Sequence, residues 1–548
     1  MTLGAVLRGS ALAFTLLGAT ALTQPIYAAN VPEGTKLAPP DQQVFNYRIL
    51  DNPGSFDPNL TEDYDTAYSI VGALFEGLYN EDEKGNPTPG VAESYDVNAD
   101  NTVYTFHLRA DAKWSNGDPV TASDFVYSWR RAVTPETASN YSYYLGLVGI
   151  KNADDIVAGK LKPEELGVKA IDDKTLEVDL FRPVPYFVRV TAHQTLFPIP
   201  AKIVEQFGKD WVKPEHIIGN GAYSLVEYKP GERVTMKRSP TYWDNAHTVI
   251  ETVNVLTIND ENQGVTRFQA NEVDWTDIPA GQYPKMKTQF PDLVHVVPEL
   301  TTYYFDFNMT DKQDVPALKD VRVRQAISYA IDRDVIVNNV LQAGQQPAYY
   351  FTPTATAGFQ APDLEYAKMK PEERLAKAKQ LLADAGYGPD NPISFTYIYN
   401  TSEAHKKIAT VVSQMLKEKL GIDMKIEDME FNTLQDRRHT RDFEVARDAW
   451  GADYNEASTF LGLLQSTSSQ NDSGYNNPDV DKMLVDASTS KDPAPIYKQI
   501  EEQVAKDVPI IPIYFYTKNF LLKTDIKGWP YDNAEQAWYA KDLYKVAE

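Results

Sequence analysis

Residues 393–453 read ISFTYIYNTSEAHKKIATVVSQMLKEKLGIDMKIEDMEFNTLQDRRHTRDFEVARDAWGAD. The run 393–399 is aromatic and β-branched, as a buried strand is. Ser402 can cap a helix whose apolar stripe is Ile408, Val411, Val412, Met415 and Leu416, and Gly421 can close it. Ile422, Met424 and Ile426 alternate as a second strand. Phe443, Val445, Arg447 and Ala449 alternate as a third, which runs into the loop 451–453. A strand–helix–strand order predicts an α/β fold, with a ligand crevice beyond the carboxyl ends of the strands.

The same alternation extends outward. Pro371 opens a helix with Leu375, Ala378, Leu381, Leu382 and Ala385 on one face, ended by Gly386. Residues 104–109 (YTFHLR) alternate as a half-buried strand, Asn116-Gly117 signals a turn, and 122–131 reads as a helix with Ser123 as its cap. Three ionisable groups fall at the expected crevice. His405 lies in the first turn of the 402–420 helix, where free N–H groups suit a carboxylate. Arg447 and Asp453 lie at and just past the end of the third strand. They could serve a ligand, or pair with each other or with surface partners.

Size and charge narrow the function. At about 100–200 residues per domain, 548 residues make two to four lobes. Lys plus Arg is 53 and Asp plus Glu is 77, for a formal net charge of −24. That argues against binding nucleic acid or an anionic membrane, which draw on a basic field. The 33 tyrosines and 8 tryptophans suit a stacking, hydrogen-bonding cavity, although large secreted proteins also use Tyr freely. With no cysteine, disulfides, zinc–thiolate sites, cysteine nucleophiles and a lipid anchor on cysteine are excluded.

Residues 1–29 place Arg8 before an apolar run from Ala11 to Leu22, followed by Pro25, Ala28 and Ala29. This is the order of a secretory signal peptide, cleaved after Ala28 or Ala29. The apolar run is shorter than the roughly 20 residues a spanning helix needs. The expected destination is a bacterial periplasm.

No phosphate loop, dinucleotide fingerprint, zincin motif or G-x-S-x-G elbow is present, and the seven histidines lack metal-ligand spacing. No metal, cofactor or catalytic residue is expected. A large exported chain without a catalytic motif points to binding rather than to an enzyme, with an exported peptide hydrolase as the competing class.

The stretch 104–129, YTFHLRADAKWSNGDPVTASDFVYSW, resembles the signature of the peptide-binding solute receptors that serve ATP-binding-cassette importers. So do LFEGL (74–78), NGAYSL (220–225), YWDNA (242–246), DVRVRQAISYAIDRD (320–334), YNTSEAHKKIA (399–409) and WGADYNEASTF (450–460). The resemblance runs from about residue 33 to the end. It implies a type II periplasmic-binding-protein fold of three lobes with a ligand enclosed between two hinged ones. Lobe I would comprise 30–75, 201–300 and 518–548, lobe II 76–200, and lobe III 301–517. A monomer would capture short peptides and deliver them to a membrane permease.

Residue by residue, the resemblance implies that Asp453 pairs with the peptide α-ammonium and that Arg447 and His405 meet its carboxylate. Glu62 and Trp450 would border side-chain pockets, and Tyr141 and Tyr516 would offer ring faces and hydroxyls. Trp450 could instead be ordinary core, and Tyr143, Tyr144 or Tyr514 could be the true lining. The sequence departs from the oligopeptide-binding branch where that branch has a ligand-binding lysine and this chain has Ser328, as the murein-tripeptide-binding branch does. Thr301 and Gly451 replace a cysteine pair of the oligopeptide branch, and Gly451 removes bulk beside Trp450. A murein-tripeptide receptor is therefore the alternative within the class.

Overall fold

The computed structural model describes residues 31–547 apart from Glu62, Ala280, Ser469 and Lys491. The signal sequence expected over 1–29 lies outside the described residues. One large sheet carries most of the strands. At its centre the long antiparallel strands Val294–Phe307 and Ile510–Leu522 lie side by side. On one flank follow Trp275–Asp277, Val44–Ile49, Thr252–Thr257, Arg233–Arg238 and Tyr223–Lys229. On the other follow Val445–Gly451, Ser394–Asn400 and Asp423–Met429. The two central strands thus belong to both halves. Their register breaks between Pro298 and Thr302, which bends the sheet there.

The expected strand–helix–strand unit is present. Ser394–Asn400 and Asp423–Met429 pair in parallel across the helix Glu403–Leu420. The Ser402 hydroxyl caps this helix by accepting the His405 N–H, and Gly421 ends it with φ +70°. Its stripe Ile408, Val412 and Leu416 is buried, as the 3.6-residue period requires.

Residues 92–97, 103–108, 175–179 and 168–172 form a separate four-stranded antiparallel sheet, covered by the helix Ala122–Val133. The cap of this helix is Thr121 rather than Ser123. Asp124, the third helical residue, accepts the Thr121 N–H at 2.8 Å and the Thr121 hydroxyl at 3.0 Å, whereas Ser123 is exposed. An acidic residue three positions on distinguishes the two hydroxyls in the sequence. Trp129 is fully buried and donates its indole N–H to the Leu196 carbonyl at 2.9 Å.

Packing divides the molecule. One core joins the small sheet to the 44–49 flank, from Phe45 through Trp114 and Trp129 to Trp538. The opposite flank has its own cores, one built on Tyr303, Phe305, Ile408 and Tyr514, the other on Tyr304, Phe351, Phe460 and Ile500. Tyr454, just past the strand Val445–Gly451, packs into the first of these cores.

Thr121→Ala is expected to lower unfolding stability by about 1 kcal/mol, the typical worth of an N-cap, and Ser123→Ala by much less. Chemical denaturation of the purified variants reads both.

Candidate functional site

Arg447 is the third residue of the Val445–Gly451 strand and lies opposite Phe305 on the central strand. Its side chain is buried among aromatic rings. One guanidinium nitrogen, Nη2, donates to the Tyr516 hydroxyl at 3.0 Å, and the guanidinium carbon lies 5.2 Å from the Tyr303 ring centroid. Tyr303 stacks on Tyr514 at 4.9 Å, Tyr514 leans on Tyr516 at 4.8 Å, and the Tyr303 and Tyr397 hydroxyls meet at 2.9 Å. Burial disfavours the charge on Arg447, but the Tyr516 and Tyr303 hydroxyls outweigh it and its pKa is raised. Its Nε has no partner, and no carboxylate pairs with it among the described residues. A buried cation without a counter-ion suits an incoming carboxylate.

His405 also lies beside Tyr303, its ring centroid 5.6 Å from the tyrosine's. Its Nδ1 lies 3.4 Å from the Asn400 carbonyl oxygen. Burial, helped by the Arg447 charge, pushes its pKa down to about 4, so the imidazole is neutral at pH 7.

Asp453 lies just past the strand, its N–H donated to Thr459 Oγ1 at 3.0 Å. Its carboxyl meets the hydroxyl of Tyr143, which comes from the segment carrying the small sheet. Burial pushes Asp453 up to about 7, only partly offset by the Tyr143 hydrogen bond. No cation reaches it among the described residues, and Arg447 does not pair with it. Tyr141 stacks on Tyr143 at 5.8 Å and leans on His193 at 5.0 Å. Tyr143 is the tyrosine that meets Asp453, and Tyr141 packs against it. Tyr186 stacks on Tyr454 at 5.2 Å, a second contact between the same two segments.

Trp450 is half-buried and lines a recess of about 120 Å³ with Arg447, Arg438, His439 and Asp448. Its indole N–H has no partner among the described residues. Gly451 is exposed and lies directly opposite Thr301 in the sheet, so the two positions of the missing cysteine pair are neighbours. Ser328 is turned elsewhere. It is buried, its hydroxyl accepts from Arg333 Nη2 at 3.1 Å, and it borders a small space shared with Tyr349, Tyr366 and Glu501. Glu62 lies outside the described residues.

Two features were not singled out from the sequence. Tyr303 and Tyr397 join the ring cage around Arg447, and the alternation in TTYYFDF (301–307) is the only signal for the first. In the wall of the recess, Asp448 accepts from the Tyr304 hydroxyl at 2.6 Å and from Arg438, while Asp472 pairs with His439 at 2.8 Å. Asp306, Asp448 and Asp472 stand close enough to share a cation, but Arg438 already bridges the last two.

The middle region of the bacterial extracellular solute-binding proteins, family 5, matches residues 86–472. The periplasmic murein peptide-binding protein MppA of Escherichia coli K12 is 44% identical over 528 residues, 95% of this chain and 96% of its own length. The periplasmic oligopeptide-binding protein OppA of Salmonella typhimurium LT2 is 42% identical, over 97% of this chain and 96% of its own. Among solved structures, the unliganded open form of the murein tripeptide-binding protein MppA superposes with a TM-score of 0.83 at 43% identity, covering 94% of this chain and 99% of that one.

In an NMR titration the His405 imidazole is expected to stay neutral down to about pH 5 and to protonate near 4. Arg447→Gln is expected to raise that midpoint while leaving it below the ordinary 6.5, because burial, the larger cause, remains.

Proposed function

The chain belongs to the bacterial extracellular solute-binding proteins of family 5, and from that premise we propose that it is a periplasmic receptor that captures short peptides and delivers them to an ATP-binding-cassette permease. The carrying observation is Asp453, a half-buried carboxyl touched by Tyr143 from the segment carrying the small sheet and facing no cation among the described residues. A free peptide α-ammonium completes that ion pair. At the other end Arg447 receives the peptide carboxylate, with neutral His405 beside it as a hydrogen-bonding group. Trp450, Gly451 and Tyr516 line the space between, with Tyr141 behind Tyr143 and Glu62 bordering a side-chain pocket, whereas Ser328 borders a different recess.

In this reading the bodies are lobe I (30–75, 201–300, 518–548), lobe II (76–200) and lobe III (301–517). The hinge is the register break between Pro298 and Thr302. Affinity comes from the charged ends and backbone hydrogen bonds, and water in roomy recesses accommodates different side chains. A micromolar site corresponds to about −8 kcal/mol. Moving the lobes from 1:99 to 99:1 closed takes about 5.5 kcal/mol of preference for the closed state. A ligand held by Asp453 and Tyr143 touches two lobes at once, and such contacts exist only when they meet. The receptor acts as a monomer after loss of residues 1–29 and performs no chemistry on its ligand.

A second reading, a receptor for the murein tripeptide, is favoured by Ser328 and by the similarity to the murein peptide-binding relative. Competition between the murein tripeptide and tri-alanine for the purified protein separates the two. Mass spectrometry of the bound ligand after long incubation is expected to return it intact, and cleaved ligand would point to a hydrolase instead. The mature N-terminus is expected just after Ala28 or Ala29.

Asp453→Asn is expected to weaken peptide binding at least about tenfold, roughly 1.4 kcal/mol, without changing the fold. N-acetylated peptides should lose a similar amount. In the free protein Asp453 holds its proton below about pH 7, and the ammonium requires the carboxylate. Binding therefore releases a proton, and affinity should fall as pH drops below 7, approaching tenfold per pH unit. Calorimetry against pH reads all three. Unchanged affinity in Asp453→Asn would refute the anchor.

A further inference from the structure

Beside the Asp453 loop lies a pair of acids that peptide capture leaves unused. Glu81 ends the strand Tyr79–Glu81, and Glu535 comes from the C-terminal segment. Their carboxyl groups hydrogen-bond to each other. Glu81 is buried, and Glu535 is half-buried with its Oε2 shielded from water. Asn533 Nδ2 donates to Glu81 at 3.0 Å, and the Asn455 N–H, two residues past Asp453, donates to Glu535.

The charges around the pair are few. Arg189 is the cation within electrostatic reach of both acids, and it donates to the Gly85 carbonyl. Asp82 adds a negative charge beside Glu81, and Tyr539 and Tyr144 present neutral hydroxyls. Asp453 is near enough to act on Tyr144 together with both acids. Two touching carboxyls with one nearby cation and little water cannot both ionise cheaply. Burial is the leading cause that pushes both upward.

The pair also sits on the bend of the sheet. Gln536 Nε2 donates to the Pro298 carbonyl at 3.1 Å, the Leu300 N–H to the Ala534 carbonyl at 3.2 Å, and the Ala452 N–H to the Leu300 carbonyl at 2.7 Å. Residues 534–536 therefore cover the register break and touch the strand end that leads to Asp453.

We propose that a proton shared by Glu81 and Glu535 pins the 79–81 strand, the C-terminal segment and the 453–455 loop together over the bend, making Glu535 a positioning residue for Asp453. Loss of that proton in alkaline solution leaves two carboxylates in contact. They part, Asn455 loses its acceptor, and Asp453 drifts from Tyr143. This rests on the peptide reading, but its first consequence, the release of Asn455, needs no ligand.

The mature full-length protein and its Glu535→Gln, Glu81→Gln and Glu535→Ala variants test the proposal, with tri-alanine as probe at pH 7 and 9.5. The peptide amine titrates alike against every variant, so ratios of Kd to wild type isolate the protein. At pH 7, Glu535→Gln, which keeps a neutral partner for Glu81 and an acceptor for Asn455, should stay within about threefold of wild type, while Glu535→Ala should bind about tenfold more weakly. At pH 9.5, Glu535→Gln and Glu81→Gln should bind about tenfold more tightly than wild type. Without ligand, hydrogen exchange at the Asn455 amide should show protection lost between pH 7 and 9.5 in wild type but kept in both glutamine variants. Ratios and protection that stay constant with pH, or wild-type affinity in Glu535→Ala, would overturn the proposal. If tri-alanine fails to bind wild type, it is the peptide reading that has failed, and the Asn455 exchange alone decides the proposal.

Discussion

Asp453 is half-buried against a tyrosine hydroxyl, with no cation in reach among the described residues. A carboxyl in that position either keeps a proton or waits for a positive partner, because an isolated buried charge is costly. Arg447 is its counterpart, a guanidinium closed in by tyrosine rings with no carboxylate beside it. Placing both among aromatic side chains raises the worth of each ion pair a ligand completes, since the surroundings screen charge poorly. The tyrosine-rich composition serves this directly. Rings exclude water, and their hydroxyls still offer hydrogen bonds where the charges need them.

The sheet makes these half-pairs usable. Two long strands run through both flanks, and most of each flank packs into cores of its own, with Tyr454 joining the first. The Tyr143–Asp453 and Tyr186–Tyr454 contacts join the segment carrying the small sheet to the loop that follows the strand Val445–Gly451. The acid pair of Glu81 and Glu535 lies beside the same register break, so Asp453 and that break belong to one hydrogen-bonded arrangement.

Much of this was legible along the chain. The helix Glu403–Leu420, its Ser402 cap, its Gly421 stop and the parallel strands around it follow from local rules of period and capping, and they place His405 and Arg447 near one another. The misplaced cap at Ser123 shows the limit of a single residue as signal. Thr121 wins because Asp124 lies three positions beyond it. Ser328 shows another limit, since nothing in its neighbours along the chain foretells that its hydroxyl turns to Arg333.

The amino-acid sequence by itself determined the α/β class, the address-like first residues, the family and the identity of the charged groups, because these depend on local period, composition and ordered motifs. Only the tertiary structure decided which tyrosine meets Asp453, that Tyr303 contacts both Arg447 and His405, and that Glu81 touches Glu535. Those contacts join residues far apart in the chain, and which side chains lose their water, and beside whom, is set by packing that no local pattern encodes.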